Sequence, residues 1–347
     1  MKNYNKMEYL CGKEKDFFDY LSKINKKDKI AVITHIDLDG IASAILINEI
    51  LRQKKIKISS LSLINYGKGM FEKAEQDFKK GTNQIFILDV NAEADLEGFN
   101  NLKKKYNSLV IDHHPSELFE ENMIRTKTED CATFALFEIA KKEFDLSKWE
   151  WLVCSTMIAE FSYNNPKNLE FIKKYYPEIS KENILVSESA KISNKISSAL
   201  IYFKNEKRKV FDYILKGKLK KLNKYSEIIE KGIQEGINKF KKEAEFFPDK
   251  NLYFYYLTPK FSIGSIITTI LSIKEPKKSF VFVSDVEGEP EYIKASSRNQ
   301  SGKEDMNLLM KKGIKGLENA TGGGHVPAAA AKFMKKDLNK FKTNLLS

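Results

Sequence analysis

Arginine is nearly missing from this 347-residue chain: of 59 basic residues only Arg52, Arg125, Arg208 and Arg298 are arginine. Histidine is as scarce, at four residues, and cysteine scarcer, at three: Cys11, Cys131 and Cys154. The cysteine spacing fits neither a disulfide framework nor a thiolate zinc site, and two of the three sit in apolar or helical runs as core thiols. No apolar run reaches the roughly 18 residues of a membrane span. The opening stretch MKNYNKMEYLCGKEKD lacks the apolar centre of a secretory signal. These absences lead to the expectation of a soluble cytoplasmic protein with no membrane contact.

Lysine is what the chain has in excess. The net charge is +12 and hydrophobic content is 42%, far from a disordered composition. A basic surface is compatible with a polyanion such as nucleic acid, and equally with a coding bias towards lysine. The length exceeds what one core usually holds, so two domains are expected.

Residues 29–34 (KIAVIT) form a short apolar run, and 41–54 read as a helix with a buried face. The alternation continues with a strand at 57–63, a helix at 68–80, a strand at 84–90, a helix at 95–105 and a strand at 108–112. Strands alternating with helices predict a parallel sheet in an α/β domain. Ligands of such sheets sit beyond the carboxyl ends of the strands. From about 130 to 200 apolar residues recur at helical spacing. Residues 203–246 are helical and basic, with 13 Lys/Arg against 7 Asp/Glu, half of the net charge of the chain. This stretch reads as a solvated helical linker or as a surface that tracks a nucleic-acid backbone. Beyond Phe247-Pro248-Asp249, strands at 251–257, 279–285 and 291–297 and helices at 264–273 and 303–315 predict a second, smaller α/β unit. The glycine run of 322–324, followed by four alanines, reads as a loop opening into a helix. The boundaries that follow are 1–200, a basic helical linker at 201–247, and 248–347.

The four histidines mark the chemistry. His35, His113 and His114 follow apolar strands, and His325 follows the glycine run. Thr34-His35-Ile36-Asp37-Leu38-Asp39-Gly40 lies between a strand and a helix, with one imidazole and two carboxylates in five residues. Asp89 ends the next buried strand, and Asp112-His113-His114 ends the one after. Adjacent histidines diverge, so one could bind metal while the other meets substrate, with Asp112 fixing an imidazole tautomer. Mixed imidazole and carboxylate donors suit Mn²⁺ or a related divalent ion. Two such ions about 4 Å apart can activate a water and stabilise a phosphoryl displacement. Without a cation, so many carboxylates in one place would repel. In the second unit the Gly322-Gly323-Gly324 backbone beside His325 favours an anion such as phosphate. Arg298, a rare arginine at the end of a strand, suits a bidentate phosphate contact.

HIDLDG, the aspartate of ILDVN, the DHH triplet and the late GGGH together resemble the DHH phosphoesterases with a C-terminal DHHA1 domain, which include RecJ-type exonucleases and NrnA-type nano-RNases. The resemblance runs from about residue 28 to 335 and is weakest in the linker. It implies a two-domain protein whose 1–200 segment is the catalytic DHH domain and whose 248–347 segment is the substrate-binding DHHA1 domain. It implies two Mn²⁺ ions, with Mg²⁺ or Co²⁺ as substitutes. His35, Asp37 and Asp89 match the ligands of one ion, and Asp39, Asp89 and His113 those of the other, with Asp89 bridging. His114 matches a phosphate-contacting histidine and Asp112 a residue supporting it. Arg298, Gly322, Gly323, Gly324 and His325 match the grip on the substrate phosphate or nucleotide. Two departures stand out. Glu160, in STMIAEFSY, falls nearest the place of the family's fourth-motif aspartate, and Ala330 falls near a usual glycine.

The implied activity is that of a metal-dependent exonuclease on single-stranded DNA or RNA or on short oligonucleotides. A small-molecule phosphodiesterase on cyclic dinucleotides or nucleotide bisphosphates, and a catalytically weak scaffold, are the other readings. A replication or repair protein is a candidate partner.

Overall fold

The computed structural model describes residues 7–347; the first six, part of the opening stretch read above for a signal, lie outside it. The chain divides into two compact units, the first ending at Ser226 and the second spanning Glu227–Ser347.

The first unit contains β1 (Tyr9–Cys11), α1 (Glu14–Lys23), β2 (Lys29–His35), α2 (Leu38–Gln53), β3 (Ile58–Ile64), α3 (Met70–Glu75), β4 (Thr82–Leu88), α4 (Leu96–Lys105), β5 (Asn107–Asp112) and β6 (Met123–Thr126). Helices α5 (Ala132–Ala140), α6 (Glu150–Ala159), α7 (Pro166–Tyr175), α8 (Glu188–Phe203) and α9 (Arg208–Leu215) follow, and α10 (Asn223–Glu243) runs past the division. The sheet order is β1-β6-β5-β4-β2-β3, parallel except for β1. Strand β2 shows why. Ile30, Ala31, Val32 and Ile33 are all buried, because helices cover both faces of the sheet. Val32, Phe86 and Leu109 face the large core built by α1, α2, α5, α6 and α8, whereas Ala31, Ile85 and Val110 face the smaller one under α3 and α4.

The second unit contains β7 (Glu245–Phe247), β8 (Leu252–Tyr256), α11 (Gly264–Lys274), β9 (Ser279–Val286), β10 (Glu289–Arg298), α12 (Met306–Gly313), β11 (Thr321–His325), β12 (Ala328–Met334) and α13 (Leu338–Leu346). Its sheet order is β11-β12-β10-β9-β8-β7, antiparallel except for β8 with β9. Met306, Met310, Phe341 and Leu345 of α12 and α13 close one face of its core.

The structure departs from expectation in three places. The glycine run does not open into a helix: Gly322–Gly324 belong to β11, and the alanine run is β12, paired from Ala328 to Lys332 with β11. Alanine is a strong helix former, but Ala329 and Ala331 are buried while Ala330 faces outward, the period of a strand. Strand β10 on one side and the side-chain-free glycines on the other favour the sheet. Short β1, α1 and β6, not foreseen, complete the first unit. The 201–247 stretch does not stand apart either. Phe203, Val210, Phe211, Ile214 and Leu222 are buried in the first unit's core, and Phe240 of α10 packs its ring against Tyr255 and Phe280 of the second.

Candidate metal centre

Strands β2, β4 and β5 are neighbours in the sheet and run in the same direction, so their carboxyl ends deliver His35, Asp89 and Asp112 to one edge. At the end of β2 the chain turns into α2. Asp37 caps that helix, its Oδ1 accepting the Gly40 N–H at 3.1 Å. Gly40 is obligatory here, because an added Cβ would lie 2.2 Å from the His35 carbonyl oxygen. The same Asp37 accepts the His35 Nδ1–H through Oδ2 at 2.7 Å.

Asp89 is buried at the end of β4 in a left-handed conformation, φ 56°. Its Oδ2 is buried without any hydrogen-bond partner. His35 Nδ1 is 3.8 Å from that atom, while Asp89 Oδ1 is 3.4 Å from His113 Nε2 and 3.8 Å from His114 Nδ1. Two groups of side chains thus converge on Asp89: His35 with Asp37, and His113 with His114, the donor atoms in each group lying within 4.8 Å of one another. His113 Nδ1–H donates to the Thr128 carbonyl at 3.0 Å, which leaves Nε2 turned towards Asp89 with its lone pair free. His114 donates Nδ1–H to Asp112 Oδ1 at 2.8 Å.

Asp39 serves a second purpose. Its two carboxylate oxygens accept the backbone N–H groups of Ala132 and Thr133, both at 2.8 Å, at the start of α5. Its Oδ2 remains 3.6 Å from His113 Nε2. Glu160 caps the C-terminus of α6, and Phe161 behind it takes a left-handed conformation, φ 55°.

The electrostatics carry the mark of crowded acids. Burial, and then repulsion from Asp39, Asp37, Glu160 and Asp112, pushes the Asp89 carboxyl well above its usual range. Burial followed by the Asp37 and Asp39 charges does the same to Glu160, so this residue shares the field of the centre. Burial works against a charge on Asp37, but the His35 hydrogen bond and charge and the Gly40 N–H outweigh it and hold the carboxyl low. For His114, burial is outweighed by the Asp112 hydrogen bond and nearby carboxylates, and its pKa is raised. A buried carboxylate oxygen without a partner, facing imidazoles and further acids, is what a divalent cation would satisfy; the residues present fit one.

Two residues at this edge were missed by sequence reasoning. Tyr66, just past β3, packs its ring 4.9 Å from the His35 ring and 5.7 Å from that of His114. Its only signal was its place after a strand of the same sheet. Lys207, immediately before α9, has its ammonium pKa brought down to about 8 by burial, with the Asp37 charge working the other way.

In the second unit, Arg298 pairs with Ala328, and Ala328 pairs with His325. The arginine and histidine therefore stand in one row across three strands, separated by a methyl group. Arg298 is half-buried and donates Nη1–H to the Ser297 carbonyl at 2.8 Å; His325 is exposed. Gly324 takes φ 150°, and a Cβ there would lie 2.5 Å from the Ala328 carbonyl oxygen.

Residues 29–181 match the DHH family, N-terminal domain. That span contains every sequence-predicted residue of the centre from His35 to Glu160. The chain is similar in structure to exonuclease RecJ bound to manganese, with a TM-score of 0.73 at 12% identity over 99% of this chain and 95% of that one. RecJ in complex with Mn²⁺ from Thermus thermophilus gives 0.71 at 12% identity, with 96% of this chain covering 53% of that one. An exopolyphosphatase-related protein from Bacteroides fragilis gives 0.58 at 18% identity over 96% and 95%. No curated protein matches the sequence. At these identities the structural likeness is one of fold, and the family likeness rests on residues 29–181, which match the N-terminal domain of the DHH family.

Proposed function

We propose that the protein is a metal-dependent phosphodiesterase that cleaves single-stranded nucleic acid or short oligonucleotides from an end. The observation that carries this reading is Asp89, a buried carboxylate with an unpartnered oxygen shared by two groups of candidate ligands. His35 and Asp37 with Asp89 would hold one divalent cation, and His113 with Asp89 and Asp39 a second. Mn²⁺ suits this donor set, and Mg²⁺ or Co²⁺ could replace it. Such a pair, when bound, supplies a hydroxide nucleophile and neutralises charge on the phosphate.

The chain's own groups do the rest. Thr128 fixes the His113 tautomer, and Asp112 orients His114 through Nδ1, so that Nε2, 3.3 Å from the Tyr66 hydroxyl, is the nitrogen left to meet a phosphate oxygen. Held charged by Asp112, His114 favours the anionic substrate. Glu160 falls nearest the place of the family's fourth-motif aspartate and shares the field of Asp37 and Asp39, and as a ligand its longer arm would shift the second ion's site. Arg298, His325 and the Gly322–Gly324 strand form the surface for a terminal nucleotide or phosphate, the part expected of a DHHA1 domain. The basic 203–246 stretch supports contacts further along the strand. The similarity to RecJ structures favours nucleic acid as substrate.

The test is degradation of end-labelled single-stranded DNA and RNA, from dinucleotides to about 20-mers, with Mn²⁺ and with EDTA. Mn²⁺-dependent laddering of long strands is the expected result. Cleavage of di- to tetranucleotides alone would replace it with the small-substrate reading. Binding without cleavage at any length would replace it with the scaffold reading and make Glu160 the first suspect.

A further inference from the structure

A fully buried asparagine, Asn168 of α7, stands behind the candidate centre. Its side-chain amide donates both N–H groups to one turn: to the Glu129 carbonyl and to Asp130 Oδ1, each at 2.9 Å. The amide oxygen is buried and has no hydrogen-bond partner among the described residues. Burying that oxygen unpaired costs free energy, so the two donated bonds are what the residue contributes here.

The turn it grips is the one that aims His113. Residues 127–130 follow β6, which is parallel to its neighbour β5, so the turn lies at the same edge as Asp112 and His113. The Asp130 N–H closes it on the Lys127 carbonyl at 2.9 Å, and the Thr126 hydroxyl donates to the Asp130 carbonyl at 3.1 Å. His113 Nδ1 meets the Thr128 carbonyl at 3.0 Å. That carbonyl belongs to the middle peptide of the turn, which points in opposite directions in the two common turn types while the closing bond stays in place. The closing bond therefore does not by itself direct Thr128 towards His113. Asn168 anchors the half of the turn that follows, Glu129 and Asp130, to a helix. One turn further along that helix, Phe171 packs its ring 4.8 Å from that of Phe134 and 5.8 Å from that of Phe137 on α5, the helix capped by Asp39. Three residues apart, Asn168 and Phe171 share one face of α7. That face bears on both the acceptor of His113 and the helix that Asp39 caps.

We infer that Asn168 is a positioning residue for the candidate metal centre: it holds the 127–130 turn so that the Thr128 carbonyl keeps the His113 proton on Nδ1 and leaves the Nε2 lone pair to a cation. The inference rests on the proposed function, in which His113, Asp89 and Asp39 would hold the second ion, and deepens it by naming what sets the affinity of that site. Among the described residues, His35 and Asp37 make no hydrogen bond to this turn and bond instead to each other and to Gly40. The effect of Asn168 therefore belongs to one ion of the two.

The experiment is calorimetric titration of Mn²⁺ into the full chain, for the wild type, Asn168→Leu, His113→Gln and the double variant. Asn168→Leu keeps the size of the side chain and removes both donors. It should weaken one of the two ions on the order of tenfold, the scale of groups that orient a ligand from behind, and leave the other unchanged. In the His113→Gln background the same substitution should have no further effect, because the imidazole through which it acts is gone. A readout free of metal and turnover comes from the four histidines of the chain. By NMR of the protein with isotope-labelled histidine in alkaline EDTA buffer, the His113 resonances are identified by their loss in His113→Gln. They should show the Nδ1–H tautomer in the wild type and shift towards the Nε2–H form in Asn168→Leu. A loss of affinity that is equal at both sites or persists in His113→Gln, or an unchanged tautomer in Asn168→Leu, would overturn the inference. Should Asn168→Leu not fold, Asp130→Ala, which removes one of the two acceptors, takes its place; a smaller loss at the same site is then expected, and no loss overturns the inference. A wild type that binds no Mn²⁺ would instead overturn the metal-dependent reading, and the tautomer comparison would still decide the role of Asn168.

Discussion

Asp39 and Thr133 are joined across 94 residues of chain by a 2.8 Å hydrogen bond from the Thr133 N–H to the Asp39 carboxylate. A candidate metal ligand on α2 is therefore also the N-terminal cap of α5, and its loss has two consequences. Asp39→Ala and Asp39→Asn both remove the charge, but only the asparagine keeps an acceptor for the helix. In EDTA, urea unfolding should find the alanine variant less stable than the asparagine variant by about 1 kcal/mol. Equal stabilities would show that the cap contributes nothing, and loss of activity in Asp39→Ala could then be read as loss of a ligand alone.

The raised pKa of Asp89 makes stability depend on pH and on metal in a definite sense. The folded state holds this proton above the pH at which the unfolded chain loses it. Its contribution is thus full in acid, below the unfolded value, and is lost as pH rises through the raised folded value. Glu160 acts in the same direction. A divalent cation offsets the repulsion, so the Tm increment caused by Mn²⁺ should be larger at pH 8 than at pH 5. Asp89→Asn should abolish the increment and, in EDTA at pH 8, be no less stable than the wild type. An increment independent of pH would contradict the repulsion argument.

His114 and Asp112 form a pair whose effect on rate can be separated from metal binding. Asp112 keeps the imidazole charged to higher pH than usual. If charged His114 meets the phosphate, kcat/KM falls as pH rises through that raised value. Asp112→Asn should move this alkaline limb to lower pH. His114→Ala should remove it and cost on the order of 10²-fold in rate. An unmoved limb in Asp112→Asn would assign the titration to another group.

Gly323 and Gly324 give a matched pair in β11. A Cβ at Gly323 finds only Asn307 Oδ1, at 3.7 Å, whereas at Gly324 it collides with the Ala328 backbone. Gly324→Ala should destabilise the second unit by about 1–3 kcal/mol and raise KM, and Gly323→Ala should be tolerated. Thermal unfolding and steady-state kinetics of the two variants check this directly.

Lys216, Lys218 and Lys220 are exposed beyond α9. If they touch the phosphates of a single strand, replacing all three by alanine should flatten the log Kd against log salt plot by about 2 units, near 0.7 per contact. Fluorescence anisotropy of a labelled 20-mer measures the slope. An unchanged slope would leave these lysines as a solvated face.

The alternation of buried strands and amphipathic helices made the first unit's sheet legible in the sequence, because a parallel strand covered on both faces must be apolar throughout, as Ile30–Ile33 are. The same logic placed His35, Asp89 and Asp112 at strand ends before any coordinates. Local pattern failed at the alanine run, where helix propensity pointed one way and the sheet partners on either side decided the other. It failed again at Tyr66, an ordinary residue in sequence that matters through the two histidine rings it touches.

The sequence alone thus determined which chemical groups are present and, in the first unit's sheet, at which strand ends they stand, since periodicity and strand ends are local properties. Only the tertiary structure decided how their duties divide. That Asp39 caps a distant helix, that Asp89 keeps an oxygen without a partner, and that Arg298 and His325 share a row are consequences of strand order and register, which bring together residues with no local relation.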